Sequence, residues 1–244
     1  MKLLIELSFL GTAYCGFQVQ KNGVSIQQTV QEAAEKLFGP VALTGCSRTD
    51  SGVHARSFYC TVEGEGCGRI PPERVPLALN SLLPPDIAAK SARAVDSSFH
   101  PRYSAKGKEY RYLILNSRIR DPFLEGRVYR CPVELDAERM NALAAGFVGR
   151  HDFAAFMAAG SSITDTVRTV SRCGVQRDGE LVVFSVAADG FLYNMVRIMA
   201  GTLIDLSLGR LGDRSIADII ASRDRGRAGF TAPPEGLYLW EVYY

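Results

Sequence analysis

The sequence has 244 residues, of which 47% are hydrophobic and 22% are charged, a composition that favours a folded globular protein and excludes wholesale disorder. Lys and Arg total 28 and Asp and Glu total 26, so the net charge is only +2. This balance neither requires nor excludes a polyanionic partner, because a basic groove can lie within a near-neutral total. The six cysteines form no C-x-x-C pair, which argues against a zinc site.

The amino-terminal stretch MKLLIELSFLGTAYCG is similar to a secretory signal only briefly, since Glu6 interrupts its apolar run and no small-residue cleavage site follows. It predicts a strand over residues 2–10. We expect a protein of the reducing cytoplasm, in which the cysteines remain buried thiols. The most apolar later run, NMVRIMAGTLIDLSLG, contains Arg197 and Asp205 and is therefore not a membrane span.

Apolar residues in the first half recur at alternating helical and strand spacing. Residues 25–39 predict an amphipathic helix, in which Ser25 caps the start and Gly39-Pro40 ends the run. Further elements are predicted for three segments: strands over 56–64 and 109–116, and a short helix over 76–84.

The second half continues this alternation. Residues 134–149 predict a helix with Asp136 as its N-cap. Residues 167–190 predict a β-hairpin, because an Asp178-Gly179 turn separates two β-rich runs. Two more elements are expected: a buried helix over 194–209 and a final strand over 237–244.

The strands and helices do not follow regular βαβ spacing, so they predict an α+β protein rather than a Rossmann sheet. We expect two similar halves, each with a mixed or mostly antiparallel sheet and helices on one face, and an active-site cleft between them. A boundary near residue 104 gives an N-terminal α+β domain over 1–104 and a C-terminal α+β domain over 105–244.

The segment GCSRTDSGVHARSFYC, residues 45–60, places an arginine, a carboxylate and a turn-forming glycine before a strand. In an extended chain Arg48 and Asp50 point to the same side, and Gly52 can supply a positive-φ turn. A carboxylate held near cations stays ionised and suits nucleophilic attack or proton abstraction at a sugar carbon. The structural alternative is an Asx-turn, in which Asp50 bonds only the backbone two residues further on.

Within this segment, SRTDSGVHA resembles the tRNA pseudouridine synthase A family. The R-T-D-x-G-V-H block is specific, and other segments with the same resemblance follow in order across nearly the whole chain. Those segments are residues 14–20, 99–105, 108–112, 151–153, 194–197 and 235–239.

The resemblance implies an enzyme that isomerises uridine to pseudouridine at positions 38, 39 and 40 of the anticodon stem-loop of tRNA. The N1–C1′ glycosidic bond breaks, the uracil rotates while bound, and C5 joins C1′. The resemblance implies no cofactor and no metal. It also implies a homodimer in which one tRNA reaches across both subunits.

The resemblance also assigns roles to particular residues. It makes Asp50, in the N-terminal domain, the catalytic residue, acting as a nucleophile or as a base. In the C-terminal domain, the strand residue Tyr110 would stack on the target base, and Tyr112 on the same strand face competes for that role. The helix residue Arg197 would pair with the catalytic aspartate, and Arg48 would assist extrusion of the target base.

Other polar residues have less specific expectations. An arginine in a stretch as apolar as that around Arg197 is seldom buried without a partner, although it can also snorkel at a helix edge. We read His54 and His100 as loop-shaping or close to RNA, and His151 as a structural hydrogen bonder. Phosphate contacts are expected from basic residues: Arg56, Arg102, Lys106, Lys108, Arg111, Arg118, Arg120, Arg168 and Arg172.

Two other functions compete with the isomerase. A non-catalytic RNA-binding protein or tRNA chaperone could use the same scaffold, but binding alone does not require Asp50. A nucleoside or glycoside hydrolase commonly needs a second carboxylate near the first, and the motif offers one.

Overall fold

The structure is a computed structural model that describes residues 1–21, 23–161 and 163–244. The chain forms two compact units. Unit 1 comprises Met1–Lys106 together with Leu239–Tyr244, and unit 2 comprises Gly107–Tyr238. Within the described ranges, no helix is both long enough and apolar enough to cross a membrane.

Unit 1 is built around an antiparallel sheet. Its first elements are β1 (Lys2–Phe9), α1 (Ile26–Phe38), β2 (Ala42–Gly45), β3 (His54–Glu63), α2 (Val75–Asn80) and β4 (Ile87–Val95). The central strand β1 pairs with β3 on one side and β4 on the other, while β2 also pairs with β3. The hydroxyl of Ser25 accepts a hydrogen bond from the N–H of Gln28 at 3.1 Å, which confirms the predicted cap of α1.

The strands of unit 2 are also mostly antiparallel. Its elements are β5 (Gly107–Leu115), β6 (Tyr129–Arg130), α3 (Ala137–Ala144), β7 (Gly149–Asp152), β8 (Val167–Asp178), β9 (Leu181–Ala188), α4 (Met195–Ser207) and α5 (Ile216–Ser222). The strand order is β5-β9-β8-β7, and the short β6 runs parallel to β5. The predicted hairpin is confirmed as β8 and β9, with Gly179 in the turn at φ 57°.

The last strand, β10 (Leu237–Tyr243), begins in unit 2 and ends in unit 1. From Leu239 onward it belongs to unit 1, where it lies beside β3. The backbone N–H of Lys106 donates to the carbonyl oxygen of Tyr243 at 2.7 Å. Unit 1 is therefore completed by residues from both ends of the described chain.

The prediction of an α+β fold with mostly antiparallel sheets is confirmed. Five of these strands and helices were not predicted: β2, β4, β6, β7 and α5. The sequence signal for α5 was present, because Ser215 and Asp218 form a reciprocal capping box at its start.

Helix α4 is buried on nearly all sides and is covered by a segment that we call the α4 strap, residues 229–232. Backbone N–H groups of the strap donate to α4: Gly229 to Thr202 Oγ1, Phe230 to Asp205 Oδ2, and Ala232 to the carbonyl oxygen of Arg197. A Cβ atom on Gly201 would lie 1.9 Å from the carbonyl oxygen of Phe230. The strap can therefore approach α4 this closely because residue 201 has no side chain.

Candidate active site

The Asp50 loop, which we define as residues 46–53, ends in a tight turn. The N–H of Val53 donates to the carbonyl oxygen of Asp50 at 3.2 Å, and Gly52 has φ 79°. A positive φ at the third of four turn residues is the feature of a type II turn, which explains the glycine. The turn fixes the backbone of Asp50 immediately before β3 begins.

The preceding segment, residues 11–17, holds the other side of this loop. The N–H of Phe17 donates to the carbonyl oxygen of Thr49 at 3.1 Å. A Cβ on Gly16 would lie 2.5 Å from that same oxygen, and Gly16 itself has φ 102°. The ring of Phe17 stacks on Phe58 of β3, with 4.2 Å between centroids. The resembling segments around Gly16 and Asp50 therefore interlock.

Tyr14 adds a further anchor. Its carbonyl oxygen accepts from Ser51 Oγ at 3.2 Å, and its own hydroxyl donates to Asp86 at 2.8 Å. Burial, followed by the hydrogen bond to Asp86, raises the pKa of Tyr14, so its hydroxyl stays protonated and remains a donor. The Asp50 loop is held by side chains as well as by backbone hydrogen bonds.

Exposure alternates along the loop. Arg48 is exposed, Thr49 is buried and Asp50 is partly exposed. Among the described residues, Thr49 Oγ1 has no hydrogen-bond partner although it is buried. Thr49 therefore faces the protein, whereas the two predicted site residues of unit 1 reach the surface.

In unit 2, β5 carries the two tyrosines that compete for base stacking. The hydroxyl of Tyr112 donates to the carbonyl oxygen of Pro233 at 2.8 Å, and its ring is fully buried. A Cβ on Gly236 would lie 2.6 Å from the Tyr112 ring, so the ring fills a closed space. Tyr110 is also largely buried, and its ring meets Phe191 edge-on at 4.9 Å. Tyr112 is thus part of the core of unit 2.

Arg197 lies in the first turn of α4, which packs on β5 within unit 2. Its Nε donates to the carbonyl oxygen of Ala232 at 2.7 Å, and its Nη1 donates to Asn194 Oδ1 at 2.9 Å. Asn194 has the left-handed conformation, with φ 59°, that turns the chain into the helix. These two contacts orient the guanidinium, and the contact with Ala232, 35 positions away, could not be identified from sequence spacing.

Glu109 precedes Tyr110 and is almost completely buried. Its carboxylate accepts from Arg111 Nε at 2.9 Å and also pairs with Arg172. Both arginines were expected to contact phosphate. Because Glu109 contacts both arginines, two positive charges and one negative charge lie close together on the strands of unit 2.

The histidines have structural contacts. His54 is buried, and its Nδ1 accepts from the N–H of Gly11 at 2.9 Å, which confirms a loop-shaping role. His151 Nε2 donates to the carbonyl oxygen of Val148 at 3.0 Å and is the predicted structural hydrogen bonder. His100 Nδ1 accepts from the N–H of Arg102 at 3.1 Å.

The carboxylate of Asp152, beside His151, makes three polar contacts. It accepts from the hydroxyl of Thr166 and from the N–H of Ala154, and it pairs with Arg223 Nε at 2.9 Å. The hydrogen bond from Thr166, followed by the contacts with Ala154 and Arg223, lowers the pKa of Asp152. This carboxylate joins β7 to the end of α5.

All six cysteines are free thiols. The expectation that they are buried is wrong for Cys15 and Cys173, which are partly exposed. Over residues 1–21, 23–161 and 163–244, no three His, Cys, Asp or Glu side chains form a group that could hold a metal ion.

The sequence of this chain matches the family model of tRNA pseudouridine synthases over residues 7–104 and 143–244. The chain therefore belongs to the tRNA pseudouridine synthase family. The matched ranges include Arg48, Asp50 and Arg197, while Tyr110 falls between them.

The curated relatives cover that gap. A protein of Acetivibrio thermocellus named tRNA pseudouridine synthase A is 48% identical over 246 residues, which cover 100% of this chain and 99% of the relative. A protein of the same name from a Thermoanaerobacter species is 44% identical over 243 residues, covering 99% of each chain. The crystal structure of an archaeal box H/ACA sRNP Nop10-Cbf5 complex is 13% identical with a TM-score of 0.35, covering 83% of this chain and 52% of that one, and this likeness supports no inference.

Proposed function

We propose that this chain isomerises uridine to pseudouridine at positions 38, 39 and 40 of the anticodon stem-loop of tRNA. In this reaction the N1–C1′ bond of the uridine breaks, the C5–C1′ bond forms, the hydrogen of C5 leaves as a proton, and N1 takes up a proton. The observation that carries the proposal is family membership over the full chain, combined with a specific R-T-D-x-G-V-H block whose Asp50 reaches the surface on a firmly held loop.

Asp50 is the proposed catalytic residue, acting either as a nucleophile or as a base. Its role is supported by the rigid setting of its backbone, because catalytic groups must be held close to the productive geometry. The Val53 turn bond, the Thr49–Phe17 bond and the Tyr14 contacts all restrain the same few residues. Arg48, exposed on this loop, is proposed to help extrude the target base and to occupy the place that the base leaves.

Tyr110 is proposed to stack on the target uracil. Support comes from the competing Tyr112, whose ring is fully buried in a closed space, whereas Tyr110 keeps a small exposed area. The edge-on contact with Phe191 fixes the ring plane of Tyr110, which suits a stacking residue.

Arg197 is proposed to pair with the catalytic carboxylate and to help bind substrate, as the family resemblance implies. The position of Arg197 supports this role, because the first turn of a helix favours an anion and disfavours an isolated cation. An arginine oriented there by Ala232 and Asn194 is suited to receive a carboxylate or a phosphate.

The proposed substrate partner is tRNA, and we also propose that the chain acts as a homodimer in the cytoplasm. Six free thiols are consistent with a reducing compartment. Sedimentation equilibrium of the purified protein tests the homodimer directly, since a single species with the mass of one chain would contradict it.

The test of the activity uses a tRNA transcript made with C5-tritiated uridine. Formation of the C5–C1′ bond expels the tritium into water, so the wild-type protein should release it. Asp50→Asn keeps the shape of the side chain but removes its charge. We expect this substitution to lower the rate of tritium release by ~10²–10⁴-fold. The Kd for tRNA should change by no more than a few fold.

The matched control is Asp213→Asn, which makes the same substitution at an exposed loop position of unit 2 and should leave release unchanged. Normal turnover by Asp50→Asn would refute the role of Asp50. Absence of release from the wild-type protein, despite tight and salt-sensitive tRNA binding, would favour a non-catalytic RNA-binding protein. Mapping the product with a pseudouridine-specific carbodiimide tests the positions, and products outside the anticodon arm would contradict the proposed specificity.

A further inference from the structure

An exposed aromatic ring on unit 1 has no role in the site described above. Tyr103 lies in the segment 99–104, which we call the aromatic loop, and its side chain is 77% exposed. The ring of His100 lies against it with 4.3 Å between centroids and 35° between planes. The guanidinium carbon of Arg102 lies 5.9 Å from the centre of the same ring.

The aromatic loop is anchored by contacts with Tyr244 and by a backbone hydrogen bond within the loop. The hydroxyl of Tyr244 donates to the carbonyl oxygen of Pro101 at 2.8 Å, and the Tyr244 ring packs against Phe99 and Tyr59 with centroids 5.3 Å and 5.2 Å away. The N–H of Ser104 donates to the carbonyl oxygen of His100 at 2.9 Å. These contacts place the loop on the sheet of unit 1 without using the side chain of Tyr103.

His100 sets the orientation of the exposed ring. Its Nδ1 accepts from the N–H groups of Arg102 and Tyr103, at 3.1 Å and 3.4 Å, so the imidazole is fixed relative to the loop backbone. An imidazole fixed in this way supports the ring of Tyr103. The fold thus holds a large aromatic surface in water next to an arginine, although folding alone does not need that surface.

We propose that Tyr103 is a stacking platform for an unpaired nucleobase of the tRNA substrate, and that Arg102 contacts the adjoining phosphate. Exposed aromatic rings combined with basic side chains are the usual means by which proteins bind unpaired nucleotides, because every base offers a face for stacking. Arg102 and Lys106 are both exposed and supply positive charge on either side of Tyr103 along the chain. The inference rests on the proposed action on tRNA and adds a binding contact outside the residues assigned to catalysis.

The test compares four substitutions of Tyr103 by filter binding of an unmodified tRNA transcript over a series of NaCl concentrations. Tyr103→Phe and Tyr103→Trp keep the aromatic face and should bind within twofold of the wild-type protein. Tyr103→Ala removes the ring, and Tyr103→Leu keeps apolar bulk without an aromatic face. Both should weaken binding by about tenfold, within the range known for loss of one stacked base.

Salt dependence separates stacking from charge. The Tyr103 variants should keep the wild-type slope of log Kd against log salt concentration, whereas Arg102→Ala should reduce that slope by about one. Leu77→Ala removes another exposed apolar side chain of unit 1 and should leave the Kd unchanged. Thermal unfolding midpoints of all variants should match the wild-type value.

Tyr103→Trp also provides a direct signal, once the emission of the native Trp240 is subtracted. Its fluorescence should be quenched by tRNA and by an unpaired oligouridylate, and much less by a blunt-ended RNA duplex. Binding by Tyr103→Ala within twofold of Tyr103→Phe would overturn the proposal, as would equal affinity of the Leu and Phe variants. Tritium release by the wild-type protein is measured separately, so failure of the stacking contact and failure of the proposed activity are distinguishable.

Discussion

Replacing Gly201 by alanine should destabilise the protein, although alanine in the middle of a helix ordinarily stabilises by ~0.5–1 kcal/mol relative to glycine. The new Cβ would lie 1.9 Å from the carbonyl oxygen of Phe230, whereas Cβ atoms in proteins essentially never approach another atom more closely than 3.0 Å. The α4 strap must therefore move by about 1 Å, and overpacking of this kind costs about 1–3 kcal/mol.

The free energy of unfolding, measured in urea, should fall by that amount. The melting temperature should fall by about 2–4 °C for each kcal/mol. Because Ala232 of the strap accepts from Arg197 Nε, turnover of the folded variant should also fall, on the order of tenfold to a hundredfold.

Gly68→Ala is the matched control. A Cβ on Gly68 would meet nothing within 4 Å, so this substitution should change stability by no more than about 0.5 kcal/mol. If Gly201→Ala were as stable as the wild-type protein, the close contact between α4 and its strap would be refuted. If it were destabilised but kept full turnover, the strap would not position Arg197.

Three further predictions concern single side chains. Tyr112→Phe removes the hydroxyl that bonds Pro233, so the free energy of unfolding in urea should fall by about 1–3 kcal/mol, the range for a buried carbonyl left unpaired. Asp152 has a folded pKa below its unfolded value, so its contribution to stability is present above about pH 4 and is lost as pH falls through the folded pKa. Asp152→Asn should therefore flatten the loss of stability between about pH 4 and pH 2 in acid titrations of the urea midpoint, and an unchanged profile would contradict the assignment. Arg197→Lys retains the charge but loses the planar guanidinium that bonds Ala232 and Asn194 at the same time. We expect kcat/KM for tRNA, measured by tritium release, to fall by about tenfold or more. Wild-type kinetics would show that the guanidinium geometry is dispensable.

Elements with strong local signals could be predicted from the sequence. The Ser25 cap and apolar spacing located α1, and the Asp178-Gly179 turn located the hairpin of β8 and β9. These signals are local because a cap or a two-residue turn is stabilised by neighbours in the chain. The structure places the ends of these elements within a few residues of the predictions.

Strand β4 shows why other elements were missed. Its sequence, IAAKSARAV, is rich in alanine and has few β-branched residues, so its strand propensity is low. It becomes a strand because β1 offers an edge to pair with, and that edge is a property of the folded sheet. Intrinsic preference is readily overridden where tertiary pairing satisfies the backbone.

In the candidate site, too, the local motif could be predicted from the sequence and the distant contacts could not. The motif identified Arg48 and Asp50, but the contacts that restrain their loop come from residues 11–17, more than 30 positions earlier. Likewise, the apolar setting of Arg197 predicted that it needs partners, but Ala232 lies 35 positions away along the chain. Spacing along the sequence carries no information about such distant contacts.

The path of the chain through the two units has a consequence for synthesis on the ribosome. The strand that β3 receives from β10 is encoded after the whole of Gly107–Tyr238. At ordinary elongation rates, the nascent unit 1 waits on the order of ten seconds for its last strand. During that interval part of β3 has an unpaired edge of the kind that recruits foreign strands. The order of translation thus leaves residues 1–106 of unit 1 without their last strand while unit 2 is synthesised, the interval in which a chaperone would protect that edge.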